Sequence, residues 1–441
     1  MRAVLISTYD MGRQPFGLAS PAAWLRESGV EVEIVDLSRD PLPEPAVRAA
    51  GLIAFFLPMH TATRLALPVI DRVRALNPDA RLCAYGLYAP LNAGLLRDRG
   101  VEHVLAGEFE ADLRNLAVGA SAGSGPVPRL EFRVPDRRGL PDLERYAQLR
   151  IGGSRRVAGY TEASRGCKHR CRHCPIVPIY DGRFRIVPVD VVMADIHAQV
   201  ERGARHVTFG DPDFFNGIRH ARAIMEGFGR EFPGVTYDVT IKVEHLLKHA
   251  ADLPRLRDSH CAFITTAAES VDDAILARLA KGHTAADFER AVALCRSAGV
   301  AVAPTFVAFT PWTTVAGYGR LLEAIDRLDL VEHVAPVQLS IRLLVTQGSR
   351  LLELPDIHRA AGPFDARTLT YPWRSPDPDV DRLQQQVARL VGVRLTAPRR
   401  EVFRRVREIA REFAGLPREK EDSAPVVPRA TVPYLDEPWY C

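Results

Sequence analysis

Cys167, Cys171 and Cys174 lie in the run Arg165-Gly-Cys-Lys-His-Arg-Cys-Arg-His-Cys-Pro175, a C-x3-C-x2-C triplet. Thiolates are ligands for zinc and for iron–sulfur clusters, and proximity on one loop lets three of them face one centre. Four thiolates would close a tetrahedral site. Three leave a position open, where a substrate or cofactor can bind. A structural zinc completed by His169 or His173 is the competing reading of the same loop. Zinc ribbons space their ligands as two pairs, and no second pair exists in the chain. Cys83, Cys261 and Cys295 fall in or beside predicted strands or helices and read as buried free thiols.

The triplet needs a frame. From Val157 onward apolar strand runs alternate with amphipathic helical stretches: Gly159–Ala163, His206–Phe209, Val235–Ile241, Ala262–Ala267, Ala301–Phe309 and Val337–Leu344 read as strands. Six strands alternating with helices predict a partial (β/α)6 TIM-type barrel. Chemistry in such barrels gathers at the C-terminal strand ends, and the cysteine loop directly follows the first strand. Residues 1–120 repeat the alternation, with strands at Ala3–Ser7, Glu31–Val35, Gly51–Leu57, Arg81–Gly86 and His103–Ala106. That pattern predicts an α/β domain of flavodoxin or Rossmann type. Residues 121–154, opening on a Gly/Ser-rich stretch, read as a linker, 155–350 as the barrel and 351–441 as a helical C-terminal extension.

Composition sets the outer bounds. The 441 residues are 47% hydrophobic and 25% charged, an ordinary globular mixture. A net charge of +4 makes no case for nucleic acid or an anionic membrane. The longest apolar run, Ala49–Leu57, is too short to span a bilayer. The N-terminus reads as a strand with no secretory leader, and clustered thiols fit a reducing compartment, so the cytoplasm is the expected location.

The cysteine loop resembles the signature of the radical S-adenosylmethionine (radical SAM) superfamily, over about residues 155–345. The resemblance implies a [4Fe–4S] cluster with Cys167, Cys171 and Cys174 as ligands and SAM on the fourth iron. It implies a carbon radical made by reductive cleavage of SAM, with a reductant such as flavodoxin or ferredoxin as partner and a small-molecule substrate. The position before the last cysteine is usually aromatic in the family; here His173 stands there, to stack on the adenine. Gly210-Asp211-Pro212-Asp213 matches the segment that meets the methionyl amine, so Asp211 and Asp213 are implied cofactor-binding residues. Ala268-Glu269-Ser270 places Glu269 at the ribose hydroxyls, Lys281-Gly-His-Thr284 recurs in one branch, and Arg342 is implied to pair with the SAM carboxylate.

The N-terminal domain resembles the cobalamin-binding branch. Its first loop, Tyr9-Asp-Met-Gly-Arg-Gln-Pro15, has no histidine for a lower axial ligand. The resemblance therefore leaves cobalamin open. The ending Glu437-Pro-Trp-Tyr-Cys441 resembles radical SAM proteins with Cys-Sec-Ala-Glu-Pro or Cys-Cys-Ala-Glu-Pro tails. Cys441 is then an expected catalytic residue, and the recorded sequence is expected to stop at a selenocysteine codon. That resemblance also carries the alternative of aminocarboxypropyl transfer from SAM to a soft atom such as arsenic. Two further readings compete: a non-catalytic zinc or electron-transfer protein, and a tRNA-modifying methylthiotransferase. The latter calls for three more cluster cysteines in the first domain, where only Cys83 stands.

Overall fold

The computed structural model describes residues 1–121, 123, 125, 127–394, 397–417 and 432–436. The first sheet is built from β1 (Arg2–Ser7), β2 (Glu31–Asp36), β3 (Leu52–Phe56), β4 (Arg81–Tyr85) and β5 (His103–Leu105). All pairings are parallel and the order is β2-β1-β3-β4-β5, the flavodoxin topology. Near-continuous apolar runs suit strands covered on both faces. Val4, Ile6, Ile53 and Phe55 pack towards the helix His60–Leu76. Ala3, Leu5 and Ala54 point the other way, onto the helices Phe16–Glu27 and Glu110–Val118. The last of these helices, and a short one at Glu44–Ala49, carry too little period to be seen in sequence.

The second sheet has seven strands in the order β13-β12-β11-β10-β7-β6-β14. Its strands β7 (Ser154–Thr161), β10 (His206–Phe209), β11 (Thr236–Thr240), β12 (Cys261–Glu269) and β13 (Ala301–Phe306) run parallel, backed by helices, as half of a barrel. Two antiparallel strands, β6 (Gln148–Ile151) and β14 (Tyr434–Leu435), extend the edge beyond β7. A separate two-stranded ribbon joins β8 (Ser164–Gly166) to β9 (Phe184–Ile186).

The expected sixth strand, Val337–Leu344, is not one. Residues Pro336–Leu339 form a 3-10 turn, and only a single parallel bridge, Phe309 to Arg342, remains of the pairing. Pro336 lacks the amide a ladder needs. Beyond the bridge, Leu343 and Val345 bury themselves with Trp373 and Ile357 of the C-terminal extension. That extension carries the helices Pro378–Gly392 and Arg399–Phe413, which lay their apolar faces (Val380, Leu383, Val387; Val402, Phe403, Val406) on the barrel core.

Residues 127–151 lie across both sheets. Arg137, 4% exposed, donates through Nε and Nη2 to both Asp195 oxygens, at 2.9 Å each. The same guanidinium reaches Gln14 Oε1 at 2.8 Å and the Tyr160 carbonyl at 2.7 Å. One side chain thus joins the loop after β1 to the first barrel strand and its following helix.

Candidate functional site

The cysteine loop leaves β8 through Gly166, whose φ of +76° and whose neighbours exclude a side chain. A Cβ there would stand 2.3 Å from the Tyr180 ring and 2.7 Å from the Arg183 carbonyl. The loop is pinned at its far side. Arg172 N donates to the Leu279 carbonyl at 2.9 Å, and Arg172 Nη1 to that of Arg278 at 2.8 Å. Asn216 Oδ1 accepts from Lys168 N at 3.4 Å and from Cys167 Sγ at 3.9 Å. Cys167, Cys171 and Cys174 are free thiols, with Cys171 buried and the others partly so. Burial pushes the Cys174 thiol up to about 12, and Cys171 and Cys167 add to the shift. Three mutually opposed thiols in a poorly solvated loop suit a cationic centre, which takes up the thiolates as their protons leave.

Behind the thiols stands a buried ion chain. His173 Nε2 lies 3.1 Å from Glu269 Oε1, and Lys281 Nζ 3.3 Å from the same oxygen. Burial would raise Glu269, but the Lys281 charge and the His173 contact prevail and hold its carboxyl at about 2. Glu269 sits at the end of β12 with φ +65°, a left-handed backbone that a non-glycine residue adopts only under local constraint. Lys281 is raised despite burial, by Glu269 first and then by the nearby Cys171 and Cys174. Of the sequence-derived residues, the fold thus brings His173 and Glu269 together.

Asp211 and Asp213 follow β10 but face different partners. Asp211 accepts from Ala163 N at 2.9 Å and Ser164 Oγ at 2.5 Å, and burial pushes it to about 7. It therefore fixes the turn into the cysteine loop. Asp213 Oδ1 accepts from Phe215 N at 3.2 Å, while its Oδ2 lies among His169 and His245. Gly210 is obligatory between them and β10, because a Cβ would fall 1.7 Å from the Tyr160 hydroxyl. Arg342 is placed elsewhere. Its Nη1 binds Asp381 at 2.7 Å, its Nη2 the Trp373 carbonyl at 2.5 Å, and its guanidinium stacks on the Trp373 ring at 3.5 Å. Cys441 lies outside the described residues.

Two cavities adjoin the loop. One, of about 330 Å³, lies between the strand ends of the two sheets, lined by Asp10, Phe56, Met59, Tyr160, Glu162 and Asp211 among others. Gly166 and Ile176, on either side of the triplet, reach its wall. The other, of about 250 Å³, is the hollow of the half-barrel, with Thr208, Asp238, Thr265 and Thr305 below and Tyr434 and Leu435 above. Met11, Gly210 and Thr240 line both, so the two adjoin. Sequence inspection did not single out His206 and Asp238, which with Thr208 form a buried relay: Asp238 Oδ1 lies 2.8 Å from His206 Nε2 and 2.6 Å from Thr208 Oγ1. Nor did it find Arg165, which binds Glu108 at 3.0 Å, Glu110 at 2.6 Å and Glu162 at 2.7 Å and so ties the loop to the first domain. Apart from Arg165 with Glu162, these pairings join residues far apart in sequence and leave no local pattern.

Comparison with known proteins gives a consistent picture. The family model for the radical SAM superfamily matches residues 161–313. A tRNA-2-methylthio-N(6)-dimethylallyladenosine synthase of Chlorobium phaeobacteroides is 24% identical over 215 residues, 46% of this chain and 46% of that protein. The ribosomal protein uS12 methylthiotransferase RimO of Geotalea uraniireducens is 21% identical over 46% of this chain and 50% of its own. The chain thus spans half or less of the length of these relatives. Among solved structures, the cobalamin-dependent SAM radical enzyme OxsB, with aqua-cobalamin and SAM bound, aligns over 90% of this chain and 67% of its own. Its TM-score is 0.72 at 12% identity. The radical SAM methyltransferase TsrM from Kitasatospora setae aligns over 74% of this chain and 71% of its own, with a TM-score of 0.59 at 19% identity. At these identities the likenesses show the fold, two α/β units in the same arrangement. The family match spans the cysteine loop and four barrel strands, so residues 161–313 carry a radical SAM domain.

Proposed function

We propose that this enzyme holds a [4Fe–4S] cluster on Cys167, Cys171 and Cys174, binds SAM beside it, and modifies a small-molecule substrate in the half-barrel. The observation that carries the reading is the placement of three buried or half-buried free thiols on one loop, near enough for Cys167 and Cys171 to act on Cys174, beside a cavity that Gly166 and Ile176 line. When bound, such a cluster supplies one electron for reductive cleavage of the SAM sulfonium. The chain's own residues do the rest. The Glu269 carboxylate, ionised at neutral pH and buried, is available to a ribose hydroxyl beside its contacts with His173 and Lys281. Lys281 offsets the negative charge that three thiolates bring to the loop. Gly210 lines both the cofactor cavity and the hollow where substrate would lie, and Asp211 lines the cofactor cavity.

Zinc is the weaker occupant of the triplet, because one of the two histidines that would complete a Cys3His site, His173, is hydrogen-bonded to Glu269 at 3.1 Å. A methylthiotransferase with a second cluster in its first domain is disfavoured by Cys83. That thiol is fully buried in β4, and burial drives its pKa far up. Cobalamin is named for OxsB and TsrM. Here the cavity between the sheets is at the small end of ligand pockets, about 300–1,000 Å³, and its Tyr9–Pro15 rim has no imidazole. A corrin placed there would lack a protein lower ligand, and no step of the proposed chemistry passes through one.

Anaerobic incubation with SAM and dithionite tests the reading. The expected product is 5′-deoxyadenosine; methylthioadenosine would instead mark aminocarboxypropyl transfer. Absence of both from iron-loaded protein contradicts the proposal.

A further inference from the structure

We propose that His169, Asp213 and His245 form a second metal site, a two-histidine, one-carboxylate centre for a divalent ion of the zinc class, separate from the cysteine triplet. It does not rest on what the triplet holds. The three donors come from three segments: His169 from between Cys167 and Cys171, Asp213 from the turn after β10, and His245 from the helix Val243–Lys248 after β11.

One ligand atom from each residue lies within 4.8 Å of the other two. His245 Nδ1 stands 2.6 Å from Asp213 Oδ2, and His169 Nε2 stands 3.5 Å from the same oxygen. Neither approach has the alignment of a hydrogen bond, and all three atoms are buried. Burying polar atoms without aligned hydrogen bonds is costly, so three at one point call for a shared partner. Bonds of about 2.0–2.1 Å to a tetrahedral zinc ion place its ligands roughly 3.3 Å apart; the His169 contact is at that scale, and the shorter His245 contact has to widen as the ion enters.

The surroundings are those of a metal-bound imidazole. Glu244 Oε2 lies 3.5 Å from the far nitrogen of His169, Nδ1, and Lys242 Nζ lies 3.3 Å from that carboxylate. A carboxylate behind the ring is the arrangement that orients a metal-bound imidazole. The second oxygen of Asp213 is occupied by Phe215 N, at 3.2 Å, which fixes the direction in which Oδ2 points. Two imidazoles and one carboxylate suit zinc or ferrous iron, and three protein ligands leave one coordination position open. An ion here would tie the middle of the cysteine loop to the ends of β10 and β11.

The test uses the full-length chain. The Cys167→Ser/Cys171→Ser/Cys174→Ser variant, titrated with zinc against a chromophoric chelator, is expected to bind one zinc per chain. Adding Asp213→Asn or His245→Gln should cut that binding at least tenfold. No zinc in the triple variant, or binding unchanged by both substitutions, overturns the proposal. Should the triple variant fail to fold, zinc-edge X-ray absorption on the zinc-loaded, cluster-containing wild-type protein decides. A first shell of nitrogen and oxygen only supports the site, whereas sulfur in that shell, or no bound zinc, overturns it.

Discussion

Glu269 carries more than one duty, because its carboxylate meets His173 and Lys281 at the end of a strand and faces the cysteine loop. Removing one partner of a buried pair leaves the other uncompensated, at about 3–5 kcal/mol. Glu269→Gln should therefore lower stability by roughly 3 kcal/mol and reduce iron incorporation. Adding Lys281→Met should recover part of the loss, as read by urea unfolding of the two single variants and the double. The pH dependence has a definite sign. The folded carboxyl is held at about 2, below its ordinary 4.5, so its stabilisation is present above about 4.5 and disappears as pH falls towards 2. Acid unfolding of Glu269→Gln should be shallower across that window; an unchanged slope would contradict the assignment. Gly166→Ala tests the loop's entry. With no room beside Tyr180 and a positive φ, it should cost more than about 1 kcal/mol and empty the cluster site, measured as iron per chain.

At the scale of elements, the span between the sheets does structural duty through Arg137. Its bidentate contact with Asp195, and its bonds to Gln14 and Tyr160, are all buried. Arg137→Ala should destabilise by about 3–5 kcal/mol, and Arg137→Lys should fail to rescue, since an ammonium cannot supply the fork. Two-probe unfolding, with rescue by lysine as the contrary result, checks this. Much of the element pattern was legible in the sequence. The parallel strands of both sheets announce themselves as short apolar runs, and Cys167–Cys174 follow one of them directly. The sixth barrel strand misled because Val337–Leu344 is apolar for another reason: it feeds the cluster around Trp373. Arg342, within that segment, has its guanidinium against Asp381 and Trp373 of the C-terminal extension. Local pattern reports that a residue is buried, not which neighbour buries it. For the same reason the pairings of His169 with His245, of His206 with Asp238 and of Arg165 with three glutamates had no signature.

Across the whole molecule, the two α/β units enclose the space where the proposed chemistry takes place. Arg165 and Arg137 clamp them together, the cysteine loop sits at their junction, and β14 returns from the chain's far end to cover the half-barrel hollow. Asp436 secures that return, accepting from Gln148 N at 2.9 Å and Arg150 Nε at 2.8 Å. Among the described residues no helix is long and apolar enough to cross a membrane. The central claim is that the triplet holds an iron–sulfur cluster that cleaves SAM. The direct measurement is anaerobic reconstitution of the wild type and of Cys167→Ala, Cys171→Ala and Cys174→Ala, with iron, sulfide and 5′-deoxyadenosine determined on each. The account predicts about four irons per chain and SAM cleavage in the wild type, and loss of cleavage in all three variants. Cleavage undiminished in the three variants, or a wild type that takes up zinc and no sulfide, would contradict it.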